Sequence, residues 1–232
     1  MFVKMKRIVL KIQLISFLRG FSISTIVMMH LLMSFHFPGF LGKAVMLGGA
    51  GVHVFFLCSG FGLYLSHLRK PLSYGAFLKK RFAKVYWPYA VAVLLWSGWI
   101  FVKSRQFPLL EASSHIFLWK MFSSSMDVSL CYPYWFISTI FQFYFCWPII
   151  VKIAERKYGL VAAIVASLSW STLVAILGFE DLRTWGSCFL QYLWEFVLGM
   201  YIAKWSFKND LDMFVKKRIH LSSWVARLSV WV

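Results

Sequence analysis

Arg19 and His30 stand with ten residues between them in a stretch, 15–36, that is otherwise mostly apolar. Eleven steps of about 100° come to about 1100°, roughly 20° past three full turns. On a helix both side chains therefore share one stripe, about 16 Å apart along the axis. Ionisable groups inside an apolar helix are costly to keep and mark functional sites by default. A guanidinium at the mouth of such a stripe suits a long anionic ligand. An imidazole deeper in suits proton transfer near neutral pH. The spacing also fits a plainer reading, an arginine snorkelling to an interface and a histidine hydrogen-bonded within a bundle.

Other residues could join that chemistry. GGAGVHVFFLCSGF places His53 and Ser59 in a second apolar stretch, among glycines that allow either a pocket or close helix approach. RKPLSYGAFLKKRFAKV is the densest basic segment, and Arg81 and Lys84 in it are three positions apart. It fits anionic lipid or the phosphates of a cytosolic cofactor. Ser138 and Gln142 sit four apart on one helical face beside Trp135 and Tyr144, where the aromatic residues also fit an interface belt. Glu195 is the one acid in the sixth apolar stretch, placed to orient a histidine or pair with a cation. Cys58, Cys131, Cys146 and Cys188 have no CxxC or zinc-like spacing, so no metal is expected.

The elements that must carry these residues are membrane helices. Of the 232 residues, 60% are apolar and 14% charged, and mean hydropathy is +0.70. Soluble domains run at about 45–50% apolar and about 25% charged, so this excess exceeds what one water-soluble core buries. Six stretches near 15–36, 48–68, 84–103, 133–152, 159–178 and 187–205 approach the ~20 residues that cross a bilayer as a helix. They are too long and too continuously apolar for barrel strands. Residues 206–220 are basic, and LSSWVARLSVWV reads as the start of a seventh span or as an interfacial helix. The expected fold is an all-α, polytopic transmembrane helix bundle of about six spans plus a partial seventh. Its organisation is a basic cytoplasmic N-terminus over 1–14, a transmembrane domain over 15–205, and a basic loop with an incomplete span over 206–232.

The formal net charge of +17 would suggest nucleic acid in a soluble chain. Here 18 of the 25 basic residues fall on one side of the expected spans. Five fall on the other, namely Lys43, Lys103, Arg105, Lys120 and Arg183. That asymmetry places the N-terminus in the cytoplasm and leaves no nucleic-acid patch. The basic, then apolar, start has the outline of a signal peptide. Lys11 interrupts it and no small-residue cleavage site follows, so the first span is read as retained. Paired, interrupted half-repeats of a transporter are not evident.

Four blocks in order resemble the integral-membrane acyltransferases of the acyltransferase-3 type. LRGFSISTIVMMH resembles the family's Arg, ten residues, His pattern. GGAGVHVFFLCSGF resembles its glycine-rich second-helix block. FLKKRFAKVYWPY resembles its basic loop entering a Tyr-x-Pro-Tyr helix, and YWFISTIFQFYFCWPII its Trp-Phe and Gln-Phe-Tyr block. YLWEFVLGMYIAKW is a fifth, weaker echo, and together they cover about 15–205.

The resemblance implies a multi-pass protein of the plasma (inner) membrane. It implies an O-acyltransferase that moves an acyl group, acetyl foremost, from acyl-CoA to a hydroxyl of a cell-surface polysaccharide or glycolipid. His30 matches the family's essential histidine and Arg19 its partner arginine. Arg81 and Lys84 occupy its paired-arginine position on the CoA side. His53, Ser59, Trp135, Gln142 and Glu195 are the acceptor or pocket candidates. Membrane lipid and a carbohydrate acceptor are the partners implied. Three departures are visible. Lys84 replaces the second arginine, His53 stands where many members have Asp, and Ile140 or Phe141 where many have Glu. Members usually carry more spans in a longer chain, so a truncated, non-catalytic copy is the alternative expectation.

Overall fold

A computed structural model describes residues 2–35, 37–126 and 129–209. These form α1 (Phe2–Leu32), α2 (Gly39–Met46), α3 (Gly51–Arg69), α4 (Tyr74–Arg81), α5 (Trp87–Ser104), α6 (Leu109–Ile116), α7 (Trp135–Phe145), α8 (Trp147–Glu155), α9 (Gly159–Ile176), α10 (Arg183–Gly186) and α11 (193–209). Among the described residues there is no strand, in agreement with the all-α expectation.

Among the described residues, four helical stretches are long and apolar enough to cross a membrane: Gln13–Leu32, Gly39–Arg69, Tyr74–Ser104 and Gly159–Ile176. The pair α7 and α8 makes a fifth if counted as one span, bent by 64°. This is fewer than the six spans expected. Two differences have local causes. The 133–152 stretch bends at Cys146 because Pro148, in the first turn of α8, has no N–H to give and its ring crowds the preceding turn. The 187–205 stretch divides into a 3-10 turn, Phe189–Tyr192, and α11. The partial seventh span, at 221–232, lies outside the described residues.

The basic segment read as a loop is also helical. Ser73 caps α4, its hydroxyl accepting from the Ala76 N–H at 3.4 Å. A π-helical turn, Phe82–Tyr86, joins α4 to α5. Pro88 opens α5 without an N–H, so the backbone widens by one residue there instead of continuing the i→i−4 ladder.

Two compact units make up the chain. Among the described residues, those of 2–71 and 195–209 form one and those of 72–194 the other. In the first unit α3 is central, with Phe56, Cys58, Phe61 and Tyr64 buried and Phe196, Val197, Met200 and Ala203 of α11 buried with them. Its α3 and α11 approach through glycines. A Cβ on Gly60 would run into the Phe196 carbonyl, and one on Gly199 into the Leu57 carbonyl. In the second unit the core is aromatic. Phe77 stacks on Trp147 with centroids 5.0 Å apart, and Phe82 meets Phe141 at 4.9 Å.

Candidate functional site

In the first unit, Arg19 is tied to α3. Its Nη2 donates to the Cys58 carbonyl at 2.8 Å. Gly62 leaves room for the guanidinium, since a Cβ there would lie 2.7 Å from Nη2. This is a helix-to-helix contact, unlike the snorkelling alternative. His30 stands eleven residues on, in the last turn of α1, where the helix dipole favours a cation. The shared α-helix puts both residues on the stripe that the spacing called for.

His53 and Glu195 meet. His53 Nδ1 and Glu195 Oε1 are 2.6 Å apart. Because Oε1 is a carboxylate oxygen, the ring N–H is the donor. The Glu195 side chain is 5% exposed and that of His53 57%. Ser59 lies half-buried on α3. An apolar groove of about 630 Å³ runs beside α1, between Phe21, Thr25 and Met29 and, facing them, Leu41, Val45 and Gly48. Arg19, His30 and His53 do not line it, so this groove is separate from all three.

In the second unit, Trp135, Ser138 and Gln142 line one small cleft with Lys120, Arg183 and Ser187. Gln142 Oε1 accepts from the Phe189 N–H at 2.9 Å, and the Thr139 hydroxyl donates to the Ser187 carbonyl at 2.6 Å. The Trp135 ring meets the Arg183 guanidinium at 5.5 Å and the Tyr192 ring, stacked at 6.2 Å. The Ser138 and Ser187 hydroxyls are buried with no hydrogen-bond partner among the described residues. Lys120 and Arg183 read as loop charges in the sequence. Their place in this cleft carried no local signal, because the chain that folds them inward spans 119–187.

Arg81 ends α4 with its guanidinium 5.5 Å from the Phe77 ring. Lys84 lies in the π turn, whose wider i→i+5 winding moves it out of α-helical register with Arg81.

A second histidine escaped the sequence reading. His115 is fully buried in α6. Its Nε2–H donates to the Ser129 carbonyl at 2.9 Å, which leaves Nδ1 to accept the Tyr89 hydroxyl at 2.7 Å. Burial first, and then the Lys120 charge, hold this imidazole down to about 4. Its folded value lies below the unfolded one of about 6.5, so the stabilisation is complete above that pH and is lost as pH falls towards about 4. The full loss corresponds to roughly 3 kcal/mol. We expect the melting temperature of the detergent-solubilised protein to drop between pH 6.5 and 4.5. The drop should be smaller in His115→Gln, and an equal drop in the variant would assign the acid sensitivity to other groups.

No curated protein and no solved structure matches the chain. The family described as an acyltransferase domain, acyltransferase 3, matches residues 12–231. The expected resemblance is therefore met along nearly the whole length, and this all-helical chain with its apolar spans belongs to the acyltransferase 3 family of membrane acyltransferases.

Proposed function

We propose that the protein is an O-acetyltransferase of the plasma membrane, with its N-terminus in the cytoplasm. The donor is acetyl-CoA and the acceptor a hydroxyl of a cell-surface polysaccharide or glycolipid. The observation that carries this reading is the α1 stripe, with Arg19 braced on α3 and His30 eleven residues further along. His30 takes the proton of the acceptor hydroxyl as general base. The hydroxyl oxygen attacks the thioester carbonyl, and CoA leaves as the thiolate. By the family resemblance, Arg81 and Lys84 of the basic helical segment are the cations for the phosphates of CoA, and Arg19 is the partner of His30. The positive-inside charge bias supports the cytoplasmic placement of those cations.

The test uses membranes carrying the full chain, labelled acetyl-CoA and surface glycans from cells with and without the gene. The expected result is label in the glycan and a mass difference of one acetyl group. Membranes that transfer no label to any glycan would favour the non-catalytic alternative.

Lys84 gives a finer prediction. A lysine binds phosphate as a point charge and lacks the bidentate fork of arginine. Lys84→Arg should lower KM for acetyl-CoA by about threefold and leave kcat unchanged, the pattern of improved uniform binding. An unchanged KM would remove Lys84 from the donor site.

A further inference from the structure

Tyr74–Ser104 is one unbroken helical run of 31 residues, made of α4, the π turn and α5. At 1.5 Å per residue it is about 45 Å long, roughly 15 Å more than a ~30 Å hydrocarbon core takes up. Lys103 and Arg105 mark where its C-terminal end leaves that core. The ~20 residues that cross the core then run from Ala83 to Val102, and the excess length falls on α4. Lys79, Lys80 and Arg81 accordingly stand about 3–6 Å beyond the core, within a headgroup layer about 5–8 Å deep. Trp87, 63% exposed, lies one turn inside the boundary, where interface aromatics collect.

The packing of α4 decides which of its cations face outward. Phe77 is buried, stacked on Trp147 at 5.0 Å and edge-on to Tyr144 at 5.9 Å. The Tyr74 hydroxyl donates to the Phe145 carbonyl at 2.8 Å. These contacts turn one face of α4 towards α7 and α8. Lys79 stands about 200° round the helix from Phe77, and both Lys79 and Lys80 are exposed. Neither makes an ion pair among the described residues. The sequence offers them no nearby acid, since the first Asp or Glu of the chain is Glu111. Neighbouring like charges repel, so the patch gains from a counter-charge brought from outside the chain. At this depth the anions at hand are lipid phosphates, and basic clusters beside a membrane span attract anionic headgroups. Trp87, Val91 and Leu95, all exposed further along the run, offer apolar surface to the chains of such a lipid.

We propose that Lys79 and Lys80 form a docking surface for the phosphate of an anionic phospholipid, in the leaflet at the α4 end of the helix. Lysine suits this contact as a point charge on a flexible stem. The surface is distinct from the pair assigned to the acyl donor, Arg81 and Lys84, and it does not depend on acetyl transfer.

The experiment titrates the detergent-solubilised full chain with short-chain phosphatidylglycerol and, separately, with phosphatidylcholine, and counts bound lipid by native mass spectrometry. The parent should prefer phosphatidylglycerol. Lys79→Gln/Lys80→Gln should weaken phosphatidylglycerol binding about tenfold or more and leave phosphatidylcholine binding within about twofold. Lys79→Arg/Lys80→Arg should keep the preference, because the charges remain. Lys43→Gln/Lys103→Gln removes the same charge elsewhere and should change the preference by less than about twofold. Should the first double variant fail to fold, Lys80→Gln alone decides, with a loss of about fivefold expected. A parent without the preference, or an equal loss in the Lys43/Lys103 control, overturns the surface. Saturating acetyl-CoA should leave the lipid bound. Its displacement would give Lys79 and Lys80 to the donor and overturn the lipid assignment.

Discussion

His30→Ala should lower acetyl transfer by about 10³-fold or more, the scale of losing a positioned general base. The chain should still insert and pack. His30 is in the last turn of α1, and in the variant Ser22, Thr25 and Met29 still pack on Gly48 and Gly51 while Arg19 still bonds the Cys58 carbonyl. Binding of acetyl-CoA should survive too, because the cations assigned to its phosphates lie elsewhere. A radiolabel assay on His30→Ala membranes, with donor binding measured in parallel, separates these effects. Loss of transfer with donor binding retained supports the assignment. Transfer at the parent rate sinks it, and loss of both binding and transfer would make His30 a folding or binding residue.

The second large effect concerns the α3–α11 contact. At Gly60 and Gly199 an added Cβ meets a backbone carbonyl, that of Phe196 or Leu57, and a carbonyl in a helix has no rotamer to escape into. The helices must separate, and overpacking of this kind costs about 1–3 kcal/mol, with more for bulkier side chains. Gly60→Ala and Gly199→Ala should each lower the melting temperature in detergent by several degrees, with Gly199→Leu losing folded protein in the membrane altogether. Gly20→Ala is the control. Nothing lies within 4 Å of its Cβ position, and alanine gains about 1 kcal/mol in helix propensity over glycine. Equal melting temperatures for Gly60→Ala and Gly20→Ala would show that the contact is not tight.

Lys84→Arg and His115→Gln probe smaller matters, donor affinity and acid stability. They share a lesson on what a local pattern conveys. Arg81 and Lys84 were legible as a basic pair, but the π turn that offsets them follows from the missing N–H of Pro88 acting on the turn before it. The bend at Cys146 belongs to the same class, with Pro148 visible in the sequence and its 64° outcome visible only in the backbone.

The order of residues alone marks the protein as helical and apolar enough for a membrane, and puts Arg19 and His30 on one stripe. It also determined that the glycine-rich and Trp-Phe blocks match a family of acyltransferases. Those features are local, because hydropathy and the 3.6-residue period are properties of a single stretch of chain. Helix packing is what brings Arg19 to the Cys58 carbonyl, buries His115 and Lys120, and sets His53 against Glu195. Each of these depends on which face of one helix packs against which face of another. For His53 and Glu195 the outcome rests on two glycines, Gly60 and Gly199, that let α3 and α11 come close enough for the two side chains to hydrogen-bond.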